Sequence, residues 1–213
     1  MQNSTPSHRP TFCRPRHRLL ALGIAAGAAF FGATSTSAAT YSIAPGGDAN
    51  KVVFESKAPL ESFEGSTRQI SGSVTLDPAA LTDSMTVEVV VDLASLDTGI
   101  DMRNQHMREN HLHTDRYPQA IFRGATFVGE HPASLAPGKT AKCKIAGSFS
   151  LHGVTRRIEV PIELRLDEKS GGLAVKAQFV VYLADYEIPR PKMLFVKLDE
   201  KQAVTFEALA LPK

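Results

Sequence analysis

GSFSLHGVTRRIEVPIEL, residues 147–164, decides the fold class. Apolar residues stand at every second position on both sides of a His152-Gly153-Val154-Thr155-Arg156 centre. Alternation of period two marks a half-buried strand, and two such runs meeting at a glycine read as a hairpin. The strands join at His152-Gly153. Gly153 permits the positive-φ bend that a sharp corner needs. His152 and Thr155 carry groups that can hydrogen-bond the turn's own backbone. Arg156 falls in phase with Val154 and Ile158, which puts it at the barrel end or against a buried acid. The centre therefore reads as an architectural corner rather than a catalytic one.

The same alternation recurs along the chain. Met85, Val87, Val89, Val91 and Leu93 alternate with Thr86, Glu88, Val90 and Asp92. Comparable runs occupy 52–56, 70–76, 120–128, 143–151, 158–166, 173–183 and 204–208. About eight strands, each with one apolar face, fit an antiparallel all-β sheet with one side solvated. Their even spacing suggests a sandwich or a closed barrel. The apolar faces, including Val87, Val89, Val91, Phe127, Phe149, Val175, Phe179 and Phe206, would line the interior. No internal repeat, low-complexity tract or interdomain linker interrupts them.

One segment departs from this pattern: TGIDMRNQHMRENHLHTDRYP, residues 98–118. Ile100, Arg103, His106 and Met107 recur at helical spacing. Thr98 or Asp101 can cap the start, and Tyr117-Pro118 ends it. The reading is one short helix over 102–112. It holds His106, His111 and His113, three of the five histidines that follow residue 39. On an α-helix two metal ligands share a face at a spacing of three or four. Here the spacings are five and two, so no metal site is expected. Arg103 and His106 lie one helical turn apart. They either tie the helix to the barrel or hydrogen-bond the polar head of a ligand.

The first 39 residues differ from the rest. Arg9, Arg14, Arg16 and Arg18 precede an apolar run over 19–33, and Ser37-Ala38-Ala39 supplies small residues at a cleavage position. That order reads as a secretory signal peptide over 1–39 followed by one domain over 40–213. The apolar run is shorter than the roughly 20 residues a spanning helix needs. The leader carries four arginines and no acidic residue, so its loss takes the net charge from +2 to −2. Such a domain offers no electrostatic case for nucleic acid or for an anionic membrane surface. Only Cys143 follows the leader, so no disulfide within the chain is expected. Flanked by Lys142 and Lys144, it shares the apolar face with Ile145 and reads as an inert thiol. No nucleophile elbow, paired-carboxylate signature or phosphate-binding glycine loop is present, and Gly46-Gly47 and Gly171-Gly172 read as turns. Neither catalysis nor a cofactor is expected.

The pieces SLDTGIDMRNQHM, YPQAIF and GSFSLHGVTRRIEVPI, in this order, carry a resemblance to a known family. The chain resembles the YceI-like family of polyisoprenoid-binding periplasmic proteins over essentially all of 40–213. Residues 103–107 are similar to the family's Arg-Asp-x-His-Leu pattern. Residues 147–156 are similar to its Gly-x-Leu-x-(Ile/Leu)-x-Gly-Val-(Thr/Ser)-(Arg/Lys) run, and DYEIPRP, 185–191, to its Asp-Tyr/Phe-Gly-Ile stretch. The resemblance implies a lipocalin-like antiparallel barrel of about eight strands holding a long apolar lipid. Asn104 stands where the family has Asp, Glu187 where it has Gly, and Asn110-His111-Leu112 where it often has Phe. A more polar channel mouth is the expected consequence.

These readings converge on an exported periplasmic carrier whose ligand is a polyisoprenoid, an isoprenoid-quinone-like chain or a fatty amide. A transient contact with a membrane protein would fit that role. The alternatives are an accessory protein of a membrane redox or stress-response system that presents a quinone, or an enzyme built on the same barrel.

Overall fold

The computed structural model describes residues 38–57, 62–82, 84–193 and 196–213. The expected leader lies outside these residues except for Ala38 and Ala39.

The chain forms β1 (Ala39–Ile43), β2 (Lys51–Lys57), β3 (Ser62–Thr67), β4 (Ile70–Leu76) and β5 (Ser84–Asp92). The helix α1 (Asp101–His106) follows and runs on into a π-helical turn over Met107–Leu112. Then come β6 (Gln119–Phe127), β7 (Thr140–Leu151), β8 (Val154–Leu166), β9 (Leu173–Tyr182), the short pair β10 (Lys192–Met193) and β11 (Val196–Lys197), and β12 (Lys201–Pro212). β1 and β2 form one interrupted stave, and β3 and β4 form the next. With β5, β6, β7, β8, β9 and β12 they make eight antiparallel staves in chain order. The ring closes where β12 pairs with both halves of the first stave, Gln202 opposite Ser56 and Tyr41 opposite Pro212. Closure removes the sheet edge along most of the barrel; β3 pairs only with β2, and its other side meets the 93–98 segment at a single bridge, Ser66–Asp97.

Two staves are longer than the alternation indicated, for different reasons. The break between β1 and β2 is held by Asn50, which is buried. Its Nδ2 donates to the Ala44 carbonyl at 2.8 Å, and its Oδ1 accepts from the Leu209 amide at 3.0 Å. β3 lacks an apolar face in sequence because Gly65 stands directly opposite Phe54, whose ring covers it. A Cβ on Gly65 would fall 2.2 Å from that ring.

The hairpin read from the opening stretch is present, with β7 and β8 in unbroken register from Thr140–Arg165 to Leu151–Val154. His152 and Gly153 both take positive φ, +51 and +80, as a two-residue hairpin turn of right-handed twist requires. Thr155 Oγ1 pairs with Ser150 Oγ across the strands at 2.7 Å rather than with the turn. Arg156 does meet an acid, but Asp185 is half exposed, not buried. The guanidinium donates to the Asp185 carbonyl and lies 3.7 Å from its carboxylate.

Outward positions carry cross-strand ion pairs, among them Lys142–Glu163 at 3.1 Å and Lys176–Glu207 at 2.7 Å. Exposed pairs of this kind contribute little to stability; they keep the outer face wet. Inside, one end of the barrel is sealed by Tyr41, Ile43, Leu76, Leu164, Leu173 and Ala210, all buried. The loops after β4 and β6 cross that end, where the Leu135 amide donates to the Pro78 carbonyl and Leu135 is buried. The opposite end lies under the helical segment.

Candidate ligand cavity

The helical segment is set over its end of the barrel by a small polar cluster. Asn104 is 5% exposed. Its Oδ1 accepts from the Thr98 amide and hydroxyl at 2.8 and 2.7 Å, and its Nδ2 donates to Asp97 at 2.7 Å. The side chain thus needs a donor as well as an acceptor, which an amide has and a carboxylate lacks. The Gly99 amide and Asn104 hold the Asp97 carboxyl below its ordinary range. Thr98 does not cap α1, which begins after Ile100 without a side-chain cap. Instead its hydroxyl also accepts from Arg103 Nε at 2.9 Å.

Arg103 further donates to the Thr98 carbonyl at 2.9 Å, and its guanidinium sits 4.2 Å above the ring of Phe63. The far end of the segment is held by histidines. His113 Nδ1 lies 2.8 Å from His152 Nε2, and His152 Nδ1 bonds the Tyr186 carbonyl at 3.0 Å. The ring of His152 packs edge-on against Tyr117, 4.8 Å between centroids.

Beneath this segment lies a cavity of about 1130 Å³. That is just above the range of roughly 300–1,000 Å³ found for small-molecule sites. The void exists because many inward positions are small or β-branched. Ala120, Ala177 and the valines of β5 and β9 leave space that leucine or phenylalanine would fill. The rings that are present pack against one another: Phe149 meets Phe179 at 5.8 Å and Tyr186 at 5.6 Å, both edge to face.

Val87, Val89 and Val91 of β5, Phe149 of β7, Val175 and Phe179 of β9, and Phe206 of β12 all line this cavity. So do Arg103 and His106 of α1. Phe127 does not. It is the last residue of β6, and the following loop stacks His131 on its ring at 4.3 Å. β6 slips register against β7 between Arg123 and Thr126, and the cavity wall on this strand is Ala120 and Phe122. The slip places the Gly124 carbonyl over Gly147, where a Cβ would fall 2.2 Å from it.

Sequence reasoning missed Phe54, Phe63, Ser56, Gln202 and His111, all of which line the cavity. His111 has a clear cause. A π turn closes i to i+5, so residues five apart come to one face. His106 and His111 therefore both reach the cavity, although an α-helix would separate them. Burial holds the His111 imidazole below its ordinary pKa, and His106 and His113 add to that. Its Nδ1 meets the Pro189 carbonyl at 2.8 Å. Among the described residues no three His, Cys, Asp or Glu side chains are grouped to hold a metal. Ile100 and Met102 also border the cavity and are exposed, Met102 at 69%, so its mouth has an apolar lip.

An eight-stave antiparallel barrel in chain order, roofed by one helical segment over an apolar chamber, defines a class: the lipocalin-like barrels. Within that class the chain belongs to the YceI-like domain family, whose model matches residues 41–210. A UPF0312 protein of Photorhabdus laumondii is 29% identical over 160 residues, covering 74% of this chain and 78% of its own. A UPF0312 protein of Yersinia enterocolitica is 33% identical over 148 residues, covering 67% of this chain and 70% of its own. Among solved structures, BcnA of Burkholderia cenocepacia shares the fold with a TM-score of 0.62 at 20% identity, over 76% of this chain and 96% of that one. A polyisoprenoid binding domain from Saccharophagus degradans does so with a TM-score of 0.59 at 19% identity, over 83% of this chain and all of that one.

Proposed function

We propose that this protein is an exported carrier that holds one long apolar lipid inside its barrel. The observation that carries the reading is the cavity itself: a chamber of about 1130 Å³, open at a mouth beside the helical segment and walled almost wholly by aliphatic and aromatic side chains. A chain burying on the order of 500 Å² of apolar surface gains roughly 12 kcal/mol at about 25 cal/mol per Å². Association costs consume a large share of that. Micromolar or tighter binding follows without any specific polar contact. The printed description of the Saccharophagus degradans domain, a polyisoprenoid binding domain, agrees with a ligand of this kind. The arginines before the apolar run over 19–33, and Ser37-Ala38-Ala39 after it, support export to the periplasm with cleavage near Ala39. The role proposed is binding without catalysis.

Organic extraction of freshly purified protein followed by mass spectrometry tests the reading. A stoichiometric lipid with a long apolar chain is expected. Its absence from protein made in several hosts, together with no displacement of a fluorescent lipid, overturns the carrier role. N-terminal sequencing of the exported protein is expected to begin at Thr40 or within a few residues of it.

A further inference from the structure

The cavity wall is not uniformly apolar. On β2 the inward residues are Val52, Phe54 and Ser56, and on β12 they are Gln202, Val204 and Phe206. Each strand thus places one polar side chain among hydrocarbon, and the two are direct cross-strand partners. Ser56 is 1% exposed and Gln202 8%. Ser56 Oγ has no hydrogen-bond partner among the described residues. Gln202 Nε2 donates to the Asp199 carbonyl at 2.8 Å, which fixes the amide and leaves Oε1 without a described partner.

A hydroxyl buried without a partner costs on the order of 1–3 kcal/mol. If the chamber took hydrocarbon alone, valine and leucine would serve better at both positions. Facing side chains on an antiparallel pair have Cβ atoms about 4.5–5.5 Å apart, close enough for one ligand atom group to meet both. Ser56 offers a donor and an acceptor; Gln202 Oε1 offers an acceptor.

We infer that Ser56 and Gln202 form a polar subsite that receives the head of the lipid, and that the head is an uncharged group that both donates and accepts, an alcohol or a primary amide. The inference rests on the carrier reading and deepens it. The head would donate to Gln202 Oε1 and accept from the Ser56 hydroxyl, which is fully buried in the wall and would turn about χ1 to meet it. The pair itself supplies no cation. Arg103, the one guanidinium on the cavity wall among the described residues, is engaged by Thr98 and stacked on Phe63. A phosphate or carboxylate would lose its water here without a counter-charge, at a cost far above that of a neutral group. Gln202 is opposite Val181 near the helix-covered end, while Ile43, Val74 and Leu164 line the far end. The tail therefore points toward the sealed end and the head stays under the helical segment.

Displacement of a fluorescent lipid from the delipidated full-length protein tests this with four ligands of matched chain: octadecene, oleyl alcohol, oleamide and oleyl phosphate. The alcohol and the amide are expected to bind about tenfold more tightly than the alkene, the sum of two ordinary hydrogen bonds. The phosphate is expected to bind no more tightly than the alkene. Ser56→Ala should cut the preference to about threefold and leave the melting temperature of the lipid-free protein unchanged or raised. Ser56→Thr, which keeps the hydroxyl, should retain the preference. Equal affinity for alkene and alcohol, an undiminished preference in Ser56→Ala, or tightest binding of the phosphate overturns the subsite while the carrier role stands. Failure of all four to bind overturns the carrier role and the subsite with it.

Discussion

His113 and His152, 39 positions apart in the chain, share a hydrogen bond of 2.8 Å that fastens the exit of the helical segment to the tip of the β7–β8 hairpin. His152 also holds the Tyr186 carbonyl through its other ring nitrogen. The histidine of the opening stretch is thus a tie between three loops rather than a ligand or a base. Replacing it strands two partners at once. His152→Ala is expected to cost about 1–3 kcal/mol, read as a fall of several degrees in melting temperature. An unchanged melt would show that the three loops hold together without it.

Gly153 makes a second prediction at the same corner. Its φ is +80, and a Cβ there would fall 2.7 Å from the ring of Tyr117. Gly153→Ala combines backbone strain with displacement of that ring, and should destabilise the fold by about 1–3 kcal/mol. Denaturant unfolding measures it, with the midpoint shifting and the slope unchanged.

Arg103 and His106, one turn apart on α1, should behave differently. Arg103 spans the Thr98 hydroxyl, the Thr98 carbonyl and the Phe63 ring. Arg103→Ala should lower the melting temperature by several degrees, and Arg103→Lys should recover little, because an ammonium cannot reproduce the planar fork. His106 is exposed at the cavity mouth and makes no described hydrogen bond. His106→Ala should leave the melt within a degree or so. Equal losses from both substitutions would refute this division.

The His111 imidazole has its pKa lowered by burial in the folded protein. The unfolded chain therefore binds that proton more readily, and stability is lost as pH falls through the unfolded value of about 6.5 and below. Melting temperatures measured between pH 8 and pH 5 should decline toward acid. His111→Gln should flatten part of that decline. A decline of the same depth in the variant would assign the effect to other groups.

Burial raises the Cys143 thiol to about 11. At pH 8 only about one thiol in a thousand is then ionised, and the thiolate is the reactive form. A thiol reagent should modify the native protein very slowly and the urea-unfolded protein fast. Cys143 is half-buried, and rapid reaction in the native state would contradict its inert role.

Period-two alternation was enough to set an antiparallel all-β fold, the number of staves and the β7–β8 corner, but it left sandwich and barrel open. The hydrophobic effect acts on each inward side chain locally, so the pattern is written in the order of residues. The helical segment was legible too, but not its winding. The π turn that brings His106 and His111 to one face depends on how the segment lies across the barrel end. The β3 half of the second stave was hidden because Gly65 owes its place to a ring on the neighbouring strand, and alternation cannot show a residue that is small for another's sake.

The sequence by itself determined which residues face inward along most strands, and with them an apolar interior. Only the tertiary structure decided whether that interior is filled or hollow. Filling depends on which small residues meet across staves far apart in the chain, and on how the ring closes. The same closure sets Ser56 of β2 opposite Gln202 of β12, 146 positions away. Neither residue stands out in its own strand. They become a site only because antiparallel pairing at the seam of the barrel aligns two polar side chains within a wall that has no other reason to hold them.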